Sequence, residues 1–186
     1  GQTAPKVVDA FERARGGILF IDEAYMLNQV SSRDTYSTEA LGTIVKYMED
    51  YRDEMIVIAA GYTDEMEKFL EQNPGLRSRF GHTLTFPDYT ESELIDIMKF
   101  FALKSGYVID ENAFPKITNY LSKLQTKPNF ANGRAVRNLF EEMVTRQAER
   151  LAQNNNIDEA DLSIILSSDV PNDDEIEEGY LPAGYI

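Results

Sequence analysis

The sequence lacks cysteine, long apolar runs and an initiator methionine. Without cysteine there is no disulfide framework, thiolate metal site or thiol nucleophile, which suits a reducing compartment, so we expect a cytoplasmic protein. The longest apolar runs, Ile18–Ile21 and Met55–Ala60, fall far short of the roughly 20 residues that span a bilayer, and Gly1 begins no signal peptide. We therefore expect no membrane partner, and we expect the chain to be part of a longer protein.

Positive charge is scarce as well. The 186 residues contain 18 Lys and Arg against 32 Asp and Glu, a formal net charge of −14. The basic residues form no stripe, and a surface this acidic repels phosphate backbones, so we expect no nucleic-acid partner. Six of the acidic residues and no basic residue lie in residues 167–186. We interpret this segment as a solvated acidic tail, with an acidic arm for a basic partner as the alternative.

The sequence does contain enough apolar residues for a core, because 42% of its residues are hydrophobic. In residues 1–87, two apolar runs of strand length alternate with amphipathic helical patterns, and Thr83–Phe86 is predicted to be a third, short strand. This alternation favours a parallel sheet whose strands are buried on both faces. Residues 88–166 are predicted to be nearly all helical after a capping box that begins at Thr90. The sequence therefore predicts an α/β core, a helical lid and then the tail from residue 167.

Asp22 and Glu23 directly follow the first apolar run. Because open α/β sheets bind ligands at the carboxyl ends of their strands, this pair is a candidate site. Two adjacent carboxylates there suit magnesium-dependent phosphoryl transfer, in which one holds the cation and the other faces the attacking water. A chance pair in an acid-rich chain is the alternative interpretation.

Short blocks elsewhere in the chain point to one family. They are Glu23-Ala24-Tyr25 with Leu27, Glu39-Ala40, Met48-Glu49, Ala60-Gly61-Tyr62, Asn73-Pro74-Gly75-Leu76, Ser78-Arg79-Phe80 and Gly133-Arg134-Ala135-Val136-Arg137-Asn138. In this order they resemble the AAA+ ATPase superfamily, and within it the branch of red-type rubisco activase and the stage V sporulation protein K. The resemblance runs from Gly1 to about Leu166. It implies a partial P-loop NTPase parallel sheet, made of strands three to five of the AAA+ core, followed by an all-helical lid.

The resemblance also implies roles for residues of the first region. Asp22 matches the Walker B aspartate that holds Mg²⁺, and Glu23 matches the glutamate that polarises the attacking water. Arg79 matches the arginine finger, which reaches ATP bound by a neighbouring subunit and offsets charge in the transition state. Arg77 is the second choice for that role.

In the lid, Arg134 matches the sensor 2 arginine, which links lid position to the nucleotide state, and Arg137 is its competitor. The resemblance implies ATP and Mg²⁺ as cofactors and a homo-oligomeric ring, most simply a hexamer. Such a ring remodels a protein client through a central pore, and the sequence does not identify the client. A non-catalytic ring subunit or interaction domain that keeps the fold but lacks phosphate binding is the second hypothesis.

The sequence departs from the family pattern at two places. Gly61-Tyr62 stands where many members have Asn, Thr or Ser as sensor 1, so we assign no residue to that role. No Gly-x-x-x-x-Gly-Lys-Ser/Thr motif occurs, so the backbone loop and lysine that hold the β and γ phosphates are missing. The family layout places this motif and the central strand of the sheet before Gly1. Because a gap in mid-sheet is costly, we expect that segment to come from another chain or a swapped neighbour, or the pairing to be rearranged. We expect the 186 residues alone not to hydrolyse ATP.

Overall fold

A computed structural model describes residues 3–29, 35–127, 130–153 and 158–176. The chain divides into two compact units, Gly1–Phe86 and Pro87–Ile186, which we call unit 1 and unit 2. Each unit combines helices with a short parallel strand pair, so the predicted mixed α/β fold class is confirmed. Among the described helices, none combines the length and the apolarity that crossing a bilayer requires.

Unit 1 consists of helices and two parallel strands. They are α1 (Thr3–Arg13), β1 (Ile18–Ile21), α2 (Met26–Gln29), α3 (Thr35–Asp50), β2 (Ile56–Ala59), α4 (Thr63–Gln72) and α5 (Pro74–Arg77). After α1 the chain turns at Gly16, whose φ of +76° favours glycine. The strands pair from Ile18 with Ile56 to Ile21 with Ala59, and α3 lies in the crossover that a parallel pair requires.

The core of unit 1 lies on one face of the strand pair. Phe11 of α1, Ile44 of α3 and Phe69 of α4 are at most 3% exposed. Leu19 of β1 and Val57 of β2 pack against this cluster. Because burying one such side chain contributes about 1.5–3 kcal/mol, the apolar stripes of these helices hold them on the sheet.

The opposite face of the strand pair is exposed, which corrects the prediction of strands buried on both faces. Ile18, Phe20, Ile56 and Ile58 lie on this face and are between 42% and 60% exposed. Successive side chains of a strand alternate between the two faces, so one layer of helices covers only half of them. Among the described residues of unit 1, no second layer covers the other half.

The predicted third strand, Thr83–Phe86, is wrong. Residues 80–90 form neither helix nor strand, and Leu84 and Phe86 are 83% and 89% exposed. A strand persists only where another strand satisfies its backbone groups, and no strand of the described ranges pairs with this segment. Unit 1 therefore contains two of the three implied core strands, and its described residues show no rearranged pairing.

Unit 2 is built on three long helices and a pair of two-residue strands. They are α6 (Glu91–Lys104), β3 (Val108–Ile109), α7 (Phe114–Gln125), α8 (Gly133–Ala152) and β4 (Ile164–Ile165). The lid predicted to be all helical thus contains one small parallel strand pair. The predicted capping box is confirmed, since Glu93 Oε2 accepts from Thr90 N at 2.8 Å and Thr90 Oγ1 accepts from Glu93 N at 3.4 Å.

Helices α6, α7 and α8 enclose the core of unit 2, where Met98, Leu121 and Met143 have 0% exposed surface. The chain that follows β4 closes this core, because Val170 is 1% exposed and packs with it. The prediction of a solvated acidic tail is therefore wrong for residues 167–176. Residues 177–186 lie outside the described residues.

Basic side chains of α7 and α8 are the reason that this acidic segment packs. The ion pairs are Arg150–Asp169, Lys123–Asp173 and Arg146–Glu175. The hydrogen bond from Lys123 lowers the pKa of Asp173, and the hydrogen bond from Arg146 lowers the pKa of Glu175. Charge counting along the sequence missed these pairs because the compensating residues lie on earlier helices.

Candidate functional site

The ladder between β1 and β2 changes its pattern at Glu23. As far as Ile21 it is a regular parallel ladder, in which Ala60 N–H donates to Ile21 O at 2.8 Å. The next bond of a regular ladder would run from Glu23 N–H to Ala60 O. Instead, Ala24 N–H donates to Ala60 O at 3.0 Å. One extra residue is therefore inserted at the carboxyl end of β1, as in a β-bulge.

Glu23 adopts a left-handed backbone conformation with φ +50°. For a residue other than glycine this conformation costs about 1–3 kcal/mol. Its neighbours hold it there: Ala24 is 1% exposed, and Glu23 O accepts from Met26 N at 2.8 Å. The N–H of Glu23 donates a hydrogen bond to Asp22 Oδ1 at 3.1 Å. Strain of this kind clusters at functional sites, so geometry adds to the sequence argument for this pair.

Asp22 is exposed and Glu23 is half-buried at the carboxyl edge of the strand pair. Among the residues that the structure describes, no three acidic or histidine side chains group so that they could hold a metal ion. Asp22 therefore does not fit a site in which the protein supplies every ligand. It does fit Mg²⁺ held by one or two carboxylates together with phosphate oxygens and water, which is how this ion is usually bound at phosphate sites.

Gly61, at the position without a sensor 1 side chain, has a packing reason to be glycine. A Cβ atom there would lie 2.8 and 2.9 Å from ring carbons of Tyr25 and 3.0 Å from Cγ of Met66. The Tyr25 ring thus fills the space that a polar side chain at residue 61 would need. Sequence reasoning found the glycine but not the ring that requires it.

Arg79 is held by contacts within its own unit. Its NH1 donates to Gly75 O at 3.0 Å, and its NH2 lies 3.4 Å from Glu49 Oε2 on α3. The side chain is 27% exposed, and its Nε is buried with no hydrogen-bond partner among the described residues. Arg77 is exposed, and its side chain forms no hydrogen bond or ion pair with another described side chain. The structure thus separates the two candidates: one arginine is bound in its own unit and the other is open to solvent.

The two candidate arginines of the lid also differ. Arg134, in the first turn of α8, is exposed, and its side chain has no ion pair with a described residue. Arg137 lies one turn later, with its guanidinium carbon 5.4 Å from the centre of the Phe101 ring. Asp22 and Glu23 are adjacent at the end of β1, Arg79 is bound to α3 and α5 of the same unit, and Arg134 belongs to unit 2.

The turn before α8 contains Asn132, which the sequence analysis did not single out. Asn132 has φ +47° and ψ −123°, and Arg134 N donates to Ala131 O at 3.0 Å. These values describe a type II′ turn with Asn132 at the position that favours glycine. Its side chain does not cap α8. Instead it bonds to Asp88 and Tyr89, which the Asn-Gly turn signal in the sequence could not reveal.

Two family models match this chain, and together they cover most of it. The model described as the ATPase family associated with various cellular activities (AAA) matches residues 1–88. The model described as the AAA lid domain matches residues 90–179.

Several curated proteins are similar to the chain. Protein CfxQ of Xanthobacter flavus is 43% identical over 171 residues, which cover 91% of this chain and 54% of that protein. Protein CbbX of Cereibacter sphaeroides is 39% identical over 172 residues, or 91% of this chain and 56% of that protein. The chloroplastic ribulose bisphosphate carboxylase/oxygenase activase of Cyanidioschyzon merolae is 39% identical over 185 residues, or 96% and 60%. The chain spans somewhat more than half the length of these relatives.

Proposed function

Because the chain belongs to the AAA family of ATPases and carries the AAA lid domain as its second part, we propose that it supplies the hydrolytic part of an Mg-ATP-dependent machine. The machine is a homo-oligomeric ring, most simply a hexamer, that remodels a protein client in the cytoplasm. The phosphate-binding loop comes from residues outside these 186. The observation that carries the proposal is the bulge that holds Asp22 and Glu23 at the carboxyl edge of the strand pair.

In this proposal the two carboxylates have different tasks. Asp22 is the exposed one and would hold Mg²⁺, whose charge lowers the cost of negative charge that develops on the phosphate oxygens. Glu23 is a half-buried residue whose backbone is fixed by the bulge, and its carboxylate would accept a hydrogen bond from the attacking water.

Arg79 is proposed as the arginine that acts on ATP in a neighbouring subunit, with Arg77 as the alternative. The ion pair of Arg79 with Glu49 is long, and the Glu49 side chain is 50% exposed. Such pairs contribute only about 0–1 kcal/mol, so a triphosphate could draw the guanidinium away from Glu49 at little cost. Arg77 needs no release, which supports keeping it as the alternative. Arg134, exposed in the first turn of α8, is proposed to respond to the nucleotide.

The first test uses a longer chain that carries the phosphate-binding loop. Glu23→Gln should leave ATP binding intact and reduce turnover by about 100-fold or more, since general-base and water-positioning residues contribute on that scale. Glu65→Gln is the matched control, because Glu65 is on the surface of the same unit and its ion pair among the described residues is with Lys68. Near-normal turnover of Glu23→Gln would remove Glu23 from this role.

The second test separates the two arginines. Mixing Arg79→Ala subunits with Glu23→Gln subunits should restore part of the turnover, because the two defects then fall on opposite sides of a shared site. The same mixture with Arg77→Ala should restore nothing beyond what Arg77→Ala shows alone. Recovery with Arg77→Ala and none with Arg79→Ala would transfer the role to Arg77.

The client is proposed as a protein and is not identified further. One relative is named as an activase of ribulose bisphosphate carboxylase/oxygenase, which supports a folded enzyme as the kind of client. The second candidate function is a non-catalytic ring subunit, which the lack of a phosphate-binding motif in the sequence favours. Titration with ATP of the protein that contains these 186 residues at its natural length distinguishes the two functions, since a non-catalytic subunit of this kind would not bind the nucleotide.

A further inference from the structure

Two residues other than glycine have a left-handed backbone among the residues that the structure describes, Glu23 and Asn132. The first belongs to the proposed catalytic pair, and the second stands two residues before Arg134. We propose that Asn132 is a positioning residue that clamps the segment Asp88–Tyr89 to the start of α8 and thereby fixes where Arg134 stands. This inference rests on the proposed role of Arg134.

The backbone conformation of Asn132 is strained. The first central position of a type II′ turn favours glycine because a Cβ atom there is crowded. Glycine at residue 132 would adopt these angles freely, and glycine already occupies residue 133. A strained asparagine therefore requires a compensating contact, and a turn alone does not provide one.

The side-chain amide of Asn132 provides that contact with both of its ends. Its Nδ2 donates to Asp88 Oδ1 at 2.7 Å, and its Oδ1 accepts from Tyr89 N at 3.0 Å. A side-chain amide has an NH₂ donor at one end and a carbonyl acceptor at the other. Aspartate at residue 132 would lose the donor and would face the carboxylate of Asp88.

Two more contacts complete the clamp. Gln125 Nε2, at the end of α7, donates to Tyr89 O at 2.9 Å. The Tyr89 ring lies over the first residue of α8, since a Cβ atom on Gly133 would be 3.8 Å from its Cε2. Both backbone polar groups of Tyr89 are thus bonded to side chains at the ends of α7 and α8. These contacts therefore join the first residues of unit 2 to the turn that carries Arg134.

Hydrogen exchange of the 186-residue chain tests the clamp. Asn132→Gly removes both side-chain bonds and relieves the strain, so the Tyr89 amide should exchange about tenfold faster while the slow amides of α6 and α8 stay unchanged. Asn112→Gly is the matched control, because Asn112 Nδ2 also donates to an aspartate, Asp110, at 2.9 Å. Unchanged exchange at Tyr89, or equal acceleration throughout unit 2, would overturn the clamp.

Steady-state kinetics of the longer, loop-containing chain test the positioning role. If Asn132 acts through Arg134, Asn132→Gly should raise the KM for ATP in the same direction as Arg134→Ala, and the double variant should be no worse than Arg134→Ala. Additive losses, or a normal KM for Asn132→Gly, would overturn the positioning role. If Arg134→Ala leaves the KM for ATP unchanged, the proposed role of Arg134 is wrong, and the positioning role of Asn132 is wrong as well. The hydrogen exchange of the Tyr89 amide tests the clamp independently of Arg134.

Discussion

Unit 2 closes its core and unit 1 leaves half of its sheet open. Among the described residues, fourteen buried apolar side chains form the core of unit 2, against six in unit 1. A helix has one apolar stripe and needs one partner, whereas a sheet with two apolar faces needs two layers. The difference indicates that the described residues of unit 2 enclose their own core, whereas one sheet face of unit 1 has no cover among the described residues of that unit.

The largest effect is expected from a substitution that removes the buried ion pair of unit 2. Asp169 is 1% exposed and accepts from Arg150 Nε at 2.7 Å and from Leu166 N at 2.8 Å. Asp169→Ala leaves both donors without their acceptor, so we expect the free energy of unfolding of unit 2 to fall by about 3–5 kcal/mol. Urea denaturation followed by hydrogen exchange of the α8 amides measures this change.

The matched control for Asp169 is Asp96, which is exposed on α6. Asp96→Ala should change the free energy of unfolding by less than about 0.5 kcal/mol. If Asp169→Ala changed the free energy of unfolding as little as Asp96→Ala, the acidic segment would not contribute to the stability of unit 2. The contrast between the two units would then weaken.

The second prediction tests how tightly unit 1 packs at its candidate site. Gly61→Ala forces a methyl group against the Tyr25 ring, at 2.8 Å from the nearest carbon, so we expect a loss of about 1–3 kcal/mol in the stability of unit 1. Thermal unfolding followed by circular dichroism measures it. Gly42→Ala is the control, since Gly42 is in α3 with nothing within 4 Å of its Cβ position. That variant should gain about 0.5–1 kcal/mol from helix propensity.

The third prediction concerns how the packing of the acidic segment on unit 2 depends on pH. The pKa values of Asp173 and Glu175 are lowered in the folded protein, so their contribution to stability is complete above the ordinary carboxyl range, about pH 4–4.5. It is lost as the pH falls through the lowered folded values, and the segment should loosen from unit 2 there. A carboxyl-carbon NMR titration follows both groups. In Lys123→Met the pKa of Asp173 should rise towards its ordinary value, and an unchanged titration would contradict the ion pair.

The smallest effect is expected on the open face of unit 1. Phe20→Thr replaces a side chain that is 59% exposed, so the stability of unit 1 should change by less than about 0.5 kcal/mol. The same change should reduce the binding of a hydrophobic dye, because it removes part of the exposed apolar face. A large loss of stability would mean that this face is covered, and the comparison between the two units would no longer hold.

Local patterns predicted much of this fold. The strand Ile18–Ile21 and the capping box at Thr90 occur where the sequence placed them, and the AAA+ resemblance is confirmed by the matches to the AAA and AAA lid models. The prediction of a strand at Thr83–Phe86 failed because its alternation of threonine with apolar residues is typical of a strand, but a partner strand is absent from the described residues. The acidic tail failed because Arg146 and Arg150 compensate it from an earlier helix.

The candidate site was likewise predicted only in part from the sequence. The sequence identified Asp22 and Glu23 as a pair at a strand end, and the roles of these residues and of Arg79 and Arg134 remain proposals. It could not identify the bulge at Glu23 or the binding of Arg79 to Glu49, because both depend on which backbone and side-chain groups meet in space.

The sequence by itself determined the strand Ile18–Ile21 and the start of α6, because apolar runs and capping act over a few neighbouring residues. Only the tertiary structure decided which sheet face is covered, which arginine is bound and which backbone is strained. Those outcomes depend on packing and on hydrogen bonds between residues far apart in the chain, and no local pattern encodes such contacts.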